Sequence, residues 1–365
     1  LKGRVDGLEA KVGELQATQF STTTKLKGVT FWNIGAMDID DTNSNEALAS
    51  NYDLRLALKT SFTGEDMLTT VLRSGNFNGQ SAFSGLTALE YGFAPSADNN
   101  VQIGRLFYTF PVGEDLTVTA GPVVRTDDPG MYAGYATYYP SDLLLDFFTY
   151  GGAWATNNLA GQGAGVGAVY EIGDSGFSVS GNYVSYNGDD STGGIGTDES
   201  QSTSTWQLFY SGEAFGGNLL AQAGYAVEST ANTNVGFGTA AAQAAMSGGG
   251  TGYSLAAAWQ PAESGLIPSI STGFSSYDPE TAGEPDLDGW YVGFEWSDVF
   301  IEGNSFGYAI GSAPNEGSSD DNTIWEAFYS MPVTDNITIT PAIFGVDADA
   351  TADKFGGLVK TTFTF

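Results

Sequence analysis

The last residues of the chain alternate between apolar and polar side chains. Phe355, Val359, Phe363 and Phe365 fall on one parity, whereas Lys360 and two threonines fall on the other. A β-strand has a side-chain period of two, so one face of this segment is apolar and the other is polar. Because the final residue still belongs to the pattern, we expect a last strand that is paired, as in a barrel without free edges.

The same alternation recurs along most of the chain. Within residues 51–63, for example, Leu54, Leu56 and Leu58 share one face and Arg55 lies on the other. The pattern predicts sixteen strands, an even number, as single-chain bacterial barrels have. The predicted strands are 22–37, 51–63, 67–77, 101–112, 116–125, 163–173, 176–188, 202–213, 217–229, 251–261, 266–277, 287–298, 304–312, 323–333, 336–347 and 355–365.

Short turns alternate with long connectors between these strands. In transmembrane barrels the short turns face the periplasm and the long loops face the outside. We therefore predict an all-β fold, a 16-stranded antiparallel transmembrane β-barrel over residues 20–365. The longest connector, 126–162, is expected to fold into the lumen, since a loop this long usually has a function. A soluble β-sandwich is the alternative, because short strands with turn signals describe it as well.

Residues 1–19 follow a different period. Five apolar residues from Leu1 to Leu15 are spaced 4, 3, 4 and 3 positions apart, which is the a/d seam of a coiled coil. We expect a short N-terminal coiled-coil helix here, either the end of a periplasmic stalk or a helix packed on the barrel rim. Valine at a and leucine at d favour a dimer.

The composition of the chain limits the classes of function that it can have. The 365 residues contain no apolar run of about 18 residues, so a helical membrane span is not expected. The net charge is −31, and no Lys or Arg lies between Thr126 and Asp353. Nucleic-acid binding is therefore not expected, because phosphate contacts need a basic surface. The acidity fits either simple solubility in salty water or a vestibule that attracts cations.

The chain contains no His and no Cys. This excludes Ser-His-Asp triads, Cys-His dyads and His- or Cys-ligated metals, so we expect neither an enzyme nor a cofactor. Asp38, Asp40 and Asp41 are a weak candidate for Ca²⁺, which takes six to eight oxygen ligands. The same loop oxygens are equally compatible with divalent cations that bridge lipopolysaccharide.

Outside the predicted N-terminal helix, Lys and Arg occur only within residues 25–125 and at Lys354 and Lys360. Five of them fall on the inward parity of neighbouring predicted strands. We call these residues the basic wall: Arg55, Lys59, Arg73, Arg105 and Arg125. The connector that follows supplies facing acids, namely Asp127, Asp128, Asp142 and Asp146. Together they predict a transverse field at the pore constriction. The alternative is that these side chains only satisfy a polar interior.

Connector 126–162 is also rich in aromatic residues, from Tyr132 to Trp154. They could form an apolar slide for sugars. The alternative, which we favour, is that they pack the connector against the barrel or belong to an interfacial girdle.

Three segments resemble cyanobacterial outer-membrane porins of the carbohydrate-selective, OprB-like porin superfamily. They are Gln19-Phe20-Ser21-Thr22-Thr23-Thr24-Lys25-Leu26-Lys27-Gly28, Thr60-Ser61-Phe62-Thr63-Gly64-Glu65-Asp66 with Arg73 and Asn76 after it, and Tyr108-Thr109-Phe110-Pro111-Val112. The resemblance implies a homotrimer in the cell outer membrane, in contact with its lipid and lipopolysaccharide, that passes inorganic ions and small solutes. The family also implies an N-terminal surface-layer-homology domain. Peptidoglycan-linked polysaccharide is thus an expected partner only through a domain absent from this chain.

The most probable function from the sequence is therefore passive diffusion of ions and small hydrophilic solutes through a water-filled pore. Two other functions remain open. One is a structural barrel that links the membrane to the cell wall and has low permeability. The other is a channel specific for a sugar or an iron complex, since some members of the family are described as iron-uptake porins.

Overall fold

The computed structural model describes residues 23–40, 47–77, 83–92, 99–140, 143–157, 161–229, 240–316, 322–348 and 352–365. The predicted helix at 1–19 lies outside these residues. No helix in these ranges is long and apolar enough to cross a membrane.

The sixteen predicted strands are all present and form one closed antiparallel barrel. Each strand pairs with its neighbours in sequence, and the first strand closes the ring by pairing with the last, with Asn33 opposite Lys360. The strands are β1 Thr24–Ile39, β2 Ala49–Thr60, β3 Met67–Gly75, β4 Gln102–Val112, β5 Leu116–Val124, β6 Gly163–Glu171, β7 Phe177–Ser185, β8 Ser202–Ala214, β9 Gly217–Glu228, β10 Gly250–Pro261, β11 Ser269–Pro279, β12 Leu287–Ser297, β13 Ser305–Glu316, β14 Asn322–Thr334, β15 Ile337–Ala348 and β16 Lys354–Thr364.

Alternation sorts side chains between the two faces of the barrel. Trp32, Trp206, Leu255 and Phe355 are exposed on the outer face, whereas Asp53 on an inward position is fully buried. An apolar outer band with polar inward positions is typical of transmembrane barrels. The predicted alternation is therefore confirmed, because inward and outward positions follow the period of two that the sequence shows.

Short connectors and long connectors lie at opposite ends of the barrel. We call these ends the short-turn end and the long-loop end. β1 begins and β16 finishes at the short-turn end, which also carries the connector 61–66 between β2 and β3. The long-loop end carries the connectors 76–101 and 125–162.

One carboxylate closes the turn at residues 61–66. Asp66 accepts hydrogen bonds from the Ser61 hydroxyl (2.9 Å), from the Phe62 and Thr63 amides (2.9 and 2.8 Å) and from the Tyr108 hydroxyl (2.5 Å). The Tyr108 bond is the main reason that the pKa of Asp66 lies well below its usual range. The polar residues of this turn thus have a structural role, since their hydrogen bonds hold the connection between β2 and β3.

Two connectors from the long-loop end turn into the lumen and meet there. They are 76–101, the first connector, and 125–162, the second or inward connector. Leu89 and Leu145 form an antiparallel bridge. Next to it, the Glu90 amide donates to the Leu144 carbonyl (3.0 Å) and the Asp146 amide donates to the Ala88 carbonyl (2.9 Å). Strand pairing inside the lumen therefore joins the two connectors.

A large apolar cluster fills part of the lumen. Trp154, Phe147 and Phe148 of the second connector and Tyr91 of the first are fully buried. They pack against inward residues of the barrel, and the Tyr139 ring lies 5.9 Å from that of Phe328 on β14. The connector rings are thus mostly in packing contacts rather than exposed along a slide. Two short helices lie in the connectors, α1 Trp154–Asn157 and α2 Ala240–Met246.

Close approach of the second connector to the wall requires glycine on both sides. A Cβ atom on Gly152, whose φ is +74°, would lie 2.6 Å from the Cα of Gly273 on β11. An atom that close overlaps its neighbour, so neither position has room for a side chain.

We predict that Gly273→Val destabilises the barrel by about 1–3 kcal/mol, because overpacking a filled site forces the backbone apart. Urea unfolding in detergent micelles, followed by tryptophan fluorescence, measures the change. Gly265→Val is the matched control, since a Cβ there meets nothing within 4 Å. Equal unfolding midpoints for the two variants would contradict the packing described here.

Candidate functional site

Every Lys and Arg in the part of the chain that the structure describes faces the lumen, and all lie on one contiguous wall. Strand pairing shows this directly: Arg55 lies opposite Arg73, and both share the inward face with Asp53. The wall consists of β16 and β1 to β5, which are neighbours in the ring. The residues are Lys25, Lys27, Arg55, Lys59, Arg73, Arg105, Arg125, Lys354 and Lys360.

One buried carboxylate holds two arginines of the basic wall. Arg73 donates through Nε to both oxygens of Asp53 (3.1 and 3.0 Å) and also through Nη2. The Nη2 of Arg55 lies 3.3 Å from the same carboxylate, and its guanidinium lies over the Phe31 ring at 5.2 Å. Two guanidiniums therefore contact one buried carboxylate, and Glu90 of the neighbouring connector interacts electrostatically with Arg73 as well.

The other two arginines bind the start of the inward connector. Arg105 Nε lies 2.8 Å from the carboxylate of Asp128, which also accepts from the Arg125 amide (2.7 Å). Arg125 makes two contacts with Asp127, at 3.0 and 3.1 Å, and the Tyr135 hydroxyl donates to the same carboxylate (2.8 Å). Asp127 and Asp128 therefore contact the basic wall directly rather than face it across an open gap.

The four arginines remain partly in contact with the lumen. Their side chains are 21% exposed for Arg55, 10% for Arg73, 16% for Arg105 and 19% for Arg125. Arg73 and Arg125 make bidentate contacts, which fix the planes of these two guanidiniums, because guanidinium and carboxylate match in geometry. The arrangement places positioned N–H donors at the surface of the lumen.

Lys59 lies apart from the arginines. It pairs with Lys25 on β1 and Thr69 on β3, close to the short-turn end. Four residues of strand separate it from Arg55, a distance of about 13 Å. The structure thus brings together four of the five residues of the basic wall and places Lys59 at the mouth.

Asp146 is more deeply buried than Asp127 and Asp128, and among the described residues no arginine side chain lies within ion-pair distance of it. It is almost fully buried at the junction of the two connectors, where the Tyr150 hydroxyl donates to it (2.8 Å). Burial raises the pKa of Asp146, against the opposing hydrogen bonds from Glu90 and Tyr150. Asp142 lies outside the residues that the structure describes.

The described residues of the weak calcium candidate do not form a common site. Asp38 sits at an outward position near the end of β1, opposite Phe355 on β16. Asp40 follows the strand, and its amide donates to the Asp353 carbonyl (3.1 Å). Asp41 lies outside the described residues. Within the described ranges no group of three or more Asp or Glu side chains is placed to hold a metal ion.

Two charged residues that sequence reasoning did not assign to the site hold the tip of the inward connector. Glu326 on β14 accepts from the Tyr139 hydroxyl (2.7 Å) and from the Leu145 amide (2.8 Å). Lys360 on β16 donates to the Leu143 carbonyl (2.5 Å) and lies over the Tyr91 ring at 5.0 Å. The signal for both was a charge on the inward parity of a strand whose directly opposite residues on the neighbouring strands carry no opposite charge.

Sequence comparison places the whole chain in one family. The sequence model described as "Carbohydrate-selective porin, OprB family" matches residues 1–365. An uncharacterized protein of Nostoc sp. is 28% identical over 421 residues, which cover 100% of this chain and 69% of the relative. An uncharacterized protein of Synechocystis sp. is 28% identical over 408 residues, which cover 99% and 72%.

Solved structures share the fold at low sequence identity. The anion-selective porin from Comamonas acidovorans has a TM-score of 0.58 and 13% identity, with 94% of this chain and 99% of that chain covered. Pseudomonas aeruginosa OccK1 has a TM-score of 0.56 and 11% identity, with 94% and 98% covered. At these identities the likeness shows a common barrel fold.

We predict that Asp53→Ala destabilises the barrel by about 3–5 kcal/mol, because it leaves two guanidiniums without their carboxylate. Urea unfolding measures the change, and Asp335→Ala in an exposed turn is the control. The double variant Asp53→Leu/Arg73→Met should recover part of the loss, since both charges of the closest pair disappear together. An Asp53→Ala midpoint equal to that of the control would show that the pair adds no stability.

A pH dependence follows from Asp146. A carboxyl group with a raised pKa binds more protons in the folded state, so its contribution is full below the unfolded pKa and is lost as pH rises through the folded pKa. The junction at Glu90 and Asp146 should therefore loosen with rising pH, by about tenfold in protection per unit of pKa elevation. Hydrogen exchange of the two bridge amides, corrected for intrinsic rates, measures this.

Asp146→Asn should remove that pH slope and keep the protection, because the amide still hydrogen-bonds and does not ionise. Asp335→Asn serves as the control and should keep the slope of the original protein. The same slope in Asp146→Asn as in the original protein would assign the pH dependence to another group.

Proposed function

Because the chain belongs to the OprB family of carbohydrate-selective porins, we propose that it passes inorganic ions and small hydrophilic solutes by passive diffusion across the outer membrane. The observation that supports this most is the placement of all described positive charges on one wall of the lumen, with four arginine side chains partly exposed there. Charges of this kind are unfavourable against lipid and favourable beside water and solutes.

The arginines have different roles in this proposal. Arg55 and Arg73 share Asp53, which positions both guanidiniums at the surface of the lumen. Arg105 and Arg125 are neutralised by Asp128 and Asp127, so they mainly fix the start of the inward connector. The connector narrows the lumen, and the basic wall around Asp53 provides the polar path.

The surroundings of the barrel are part of the same proposal. The apolar outer face suits membrane lipid, and the long-loop end suits contact with lipopolysaccharide outside the cell. The short-turn end would then face the periplasm, where β1 begins. A homotrimer is the assembly we propose, as the family resemblance implies.

A second candidate is a structural barrel of low permeability. The supporting observation is the apolar cluster inside the lumen, which includes the fully buried Trp154, Phe147 and Phe148. Porin interiors are usually polar and water-filled. A lumen packed in this way leaves less room for sugars than the family description suggests, so ions and sugars should be tested separately.

Planar-bilayer recording of the purified protein in a KCl gradient tests the proposal. Openings in steps of three would support a conducting trimer, and swelling of liposomes in a sugar series would measure the solute size limit. Folded, heat-modifiable protein that gives no openings would favour the structural barrel.

We predict that Arg73→Ala and Arg105→Ala each shift the reversal potential toward cation preference. One unit charge about 10 Å from a passing ion is worth about 0.4 kcal/mol in water, with opposite sign for an anion and a cation, which is roughly a fourfold change in the anion-to-cation permeability ratio. Asp335→Asn, in an exposed turn, is the control for a charge change away from the constriction. Unchanged conductance and reversal potential in both arginine variants would remove the basic wall from the permeation path.

A further inference from the structure

Three lysines cluster on the inner face at the short-turn end. Lys25 on β1 lies directly opposite Lys59 on β2, and Lys27 is the next inward residue on β1, opposite Ala57. Side chains directly opposite in an antiparallel pair have Cβ atoms about 4.5–5.5 Å apart. We call Lys25, Lys27 and Lys59 the lysine cluster.

The lysine cluster differs from the arginines in its partners. Each of the four arginines contacts a carboxylate, as described above. Among the described residues, no acid lies within ion-pair distance of Lys25, Lys27 or Lys59. Lys59 is flanked by Lys25 on one side and by the neutral Thr69 on the other. Within the described part of the chain, the three positive charges of the cluster therefore have no carboxylate partner.

Like charges directly opposite each other destabilise an antiparallel pair. Lysines are also rare in this chain, which has 12 basic residues against 43 acidic ones. The chain is rich in acids, yet the residues directly opposite the three lysines on the paired strands include none. An anion taken up from solution would remove the repulsion.

We propose that the lysine cluster is a binding subsite for a small inorganic oxyanion, such as phosphate or sulfate, at the short-turn mouth of the pore. Each ammonium has three N–H donors and no acceptor, so three of them can contact different oxygens of one tetrahedral anion. Their flexible four-carbon stems allow this convergence from Cβ atoms on two strands. A lysine is an established point-charge partner for phosphate.

The nearest inward acids on the far wall belong to other strands. Glu213 on β8 and Glu295 on β12 take inward positions near the same end, several strands away from β1 and β2 in the ring. At that separation salt screens their charge, so they do not neutralise the lysine cluster. The subsite is a step on the proposed permeation route, and in that sense the inference rests on the proposed function.

Lysine footprinting tests the subsite without any need for conduction. The purified protein in detergent is acetylated with and without inorganic phosphate, at constant ionic strength set with KCl, and modified lysines are counted by mass spectrometry. We expect phosphate to protect Lys25, Lys27 and Lys59 together, with one common midpoint. Lys354, on the same wall at the long-loop end, is the internal control and should not be protected.

Substitution then assigns the protection to the cluster. Lys59→Gln should weaken the phosphate midpoint at Lys25 and Lys27 by about tenfold, as loss of one charged hydrogen-bond donor implies. Lys59→Arg should retain it, and Lys354→Gln should leave it unchanged. No protection of the cluster, or equal protection of Lys354, would overturn the inference.

Current recording separates this inference from the proposed function. If the protein conducts, phosphate added at the short-turn side should reduce the KCl current, and Lys59→Gln should shift the block by the same factor. If the protein does not conduct, the proposed pore fails while the footprint still decides the subsite. A conducting protein with neither footprint nor block keeps the pore and rejects the subsite. Detergent-solubilised protein free of added lipid shows that a free oxyanion, not a lipid headgroup, is bound.

Discussion

Backbone pairing in an apolar surrounding is the constraint on which the rest of this structure depends. Within hydrocarbon every N–H and C=O needs a partner, so the sheet closes and β1 pairs with β16. Closure gives each strand only two faces, and charges are unfavourable on the outer one. All the described positive charges therefore point inward. Because the bases occur on adjacent strands, closure also gathers them on a single wall, from Lys354 through Arg73 to Lys59.

The lumen then has to accommodate both those charges and a long connector. The connector is attached at its start by Asp127 and Asp128, which contact Arg125 and Arg105. Its tip is held by Glu326 from the opposite side of the ring. Between these polar attachments the aromatic rings pack as an apolar core. The interior of the barrel thus serves as the hydrophobic core of a folded segment as well as a polar surface, and the two functions occupy different walls.

The sequence predicts the strands well because a period of two is a local property. All sixteen strands are found, with ends that differ by a few residues, as at β13, which runs to Glu316 rather than to 312. The path of connector 126–162 has no period, so its contacts follow from tertiary packing alone. Parity could place Arg55 and Arg73 inward, but no local rule shows that both share Asp53. The contacts of Glu326 and Lys360 with the inward connector were not predicted for the same reason, since their partners are far away in sequence.

Ion pairing inside the lumen means that the net charge of the chain does not describe the potential within the pore. The net charge of −31 is carried largely by loops and turns, and salt screens a charge beyond about 8–10 Å. Those acids therefore act on ions at the rims and have little influence deep in the lumen. Within it, Arg105 and Arg125 pair with Asp128 and Asp127, whereas Arg55 and Arg73 share the carboxylate of Asp53. The local balance of unpaired groups, rather than the number of arginines or the overall acidity, determines the potential that a solute meets at each depth. A wall of this composition becomes more positive from the arginines toward Lys25, Lys27 and Lys59.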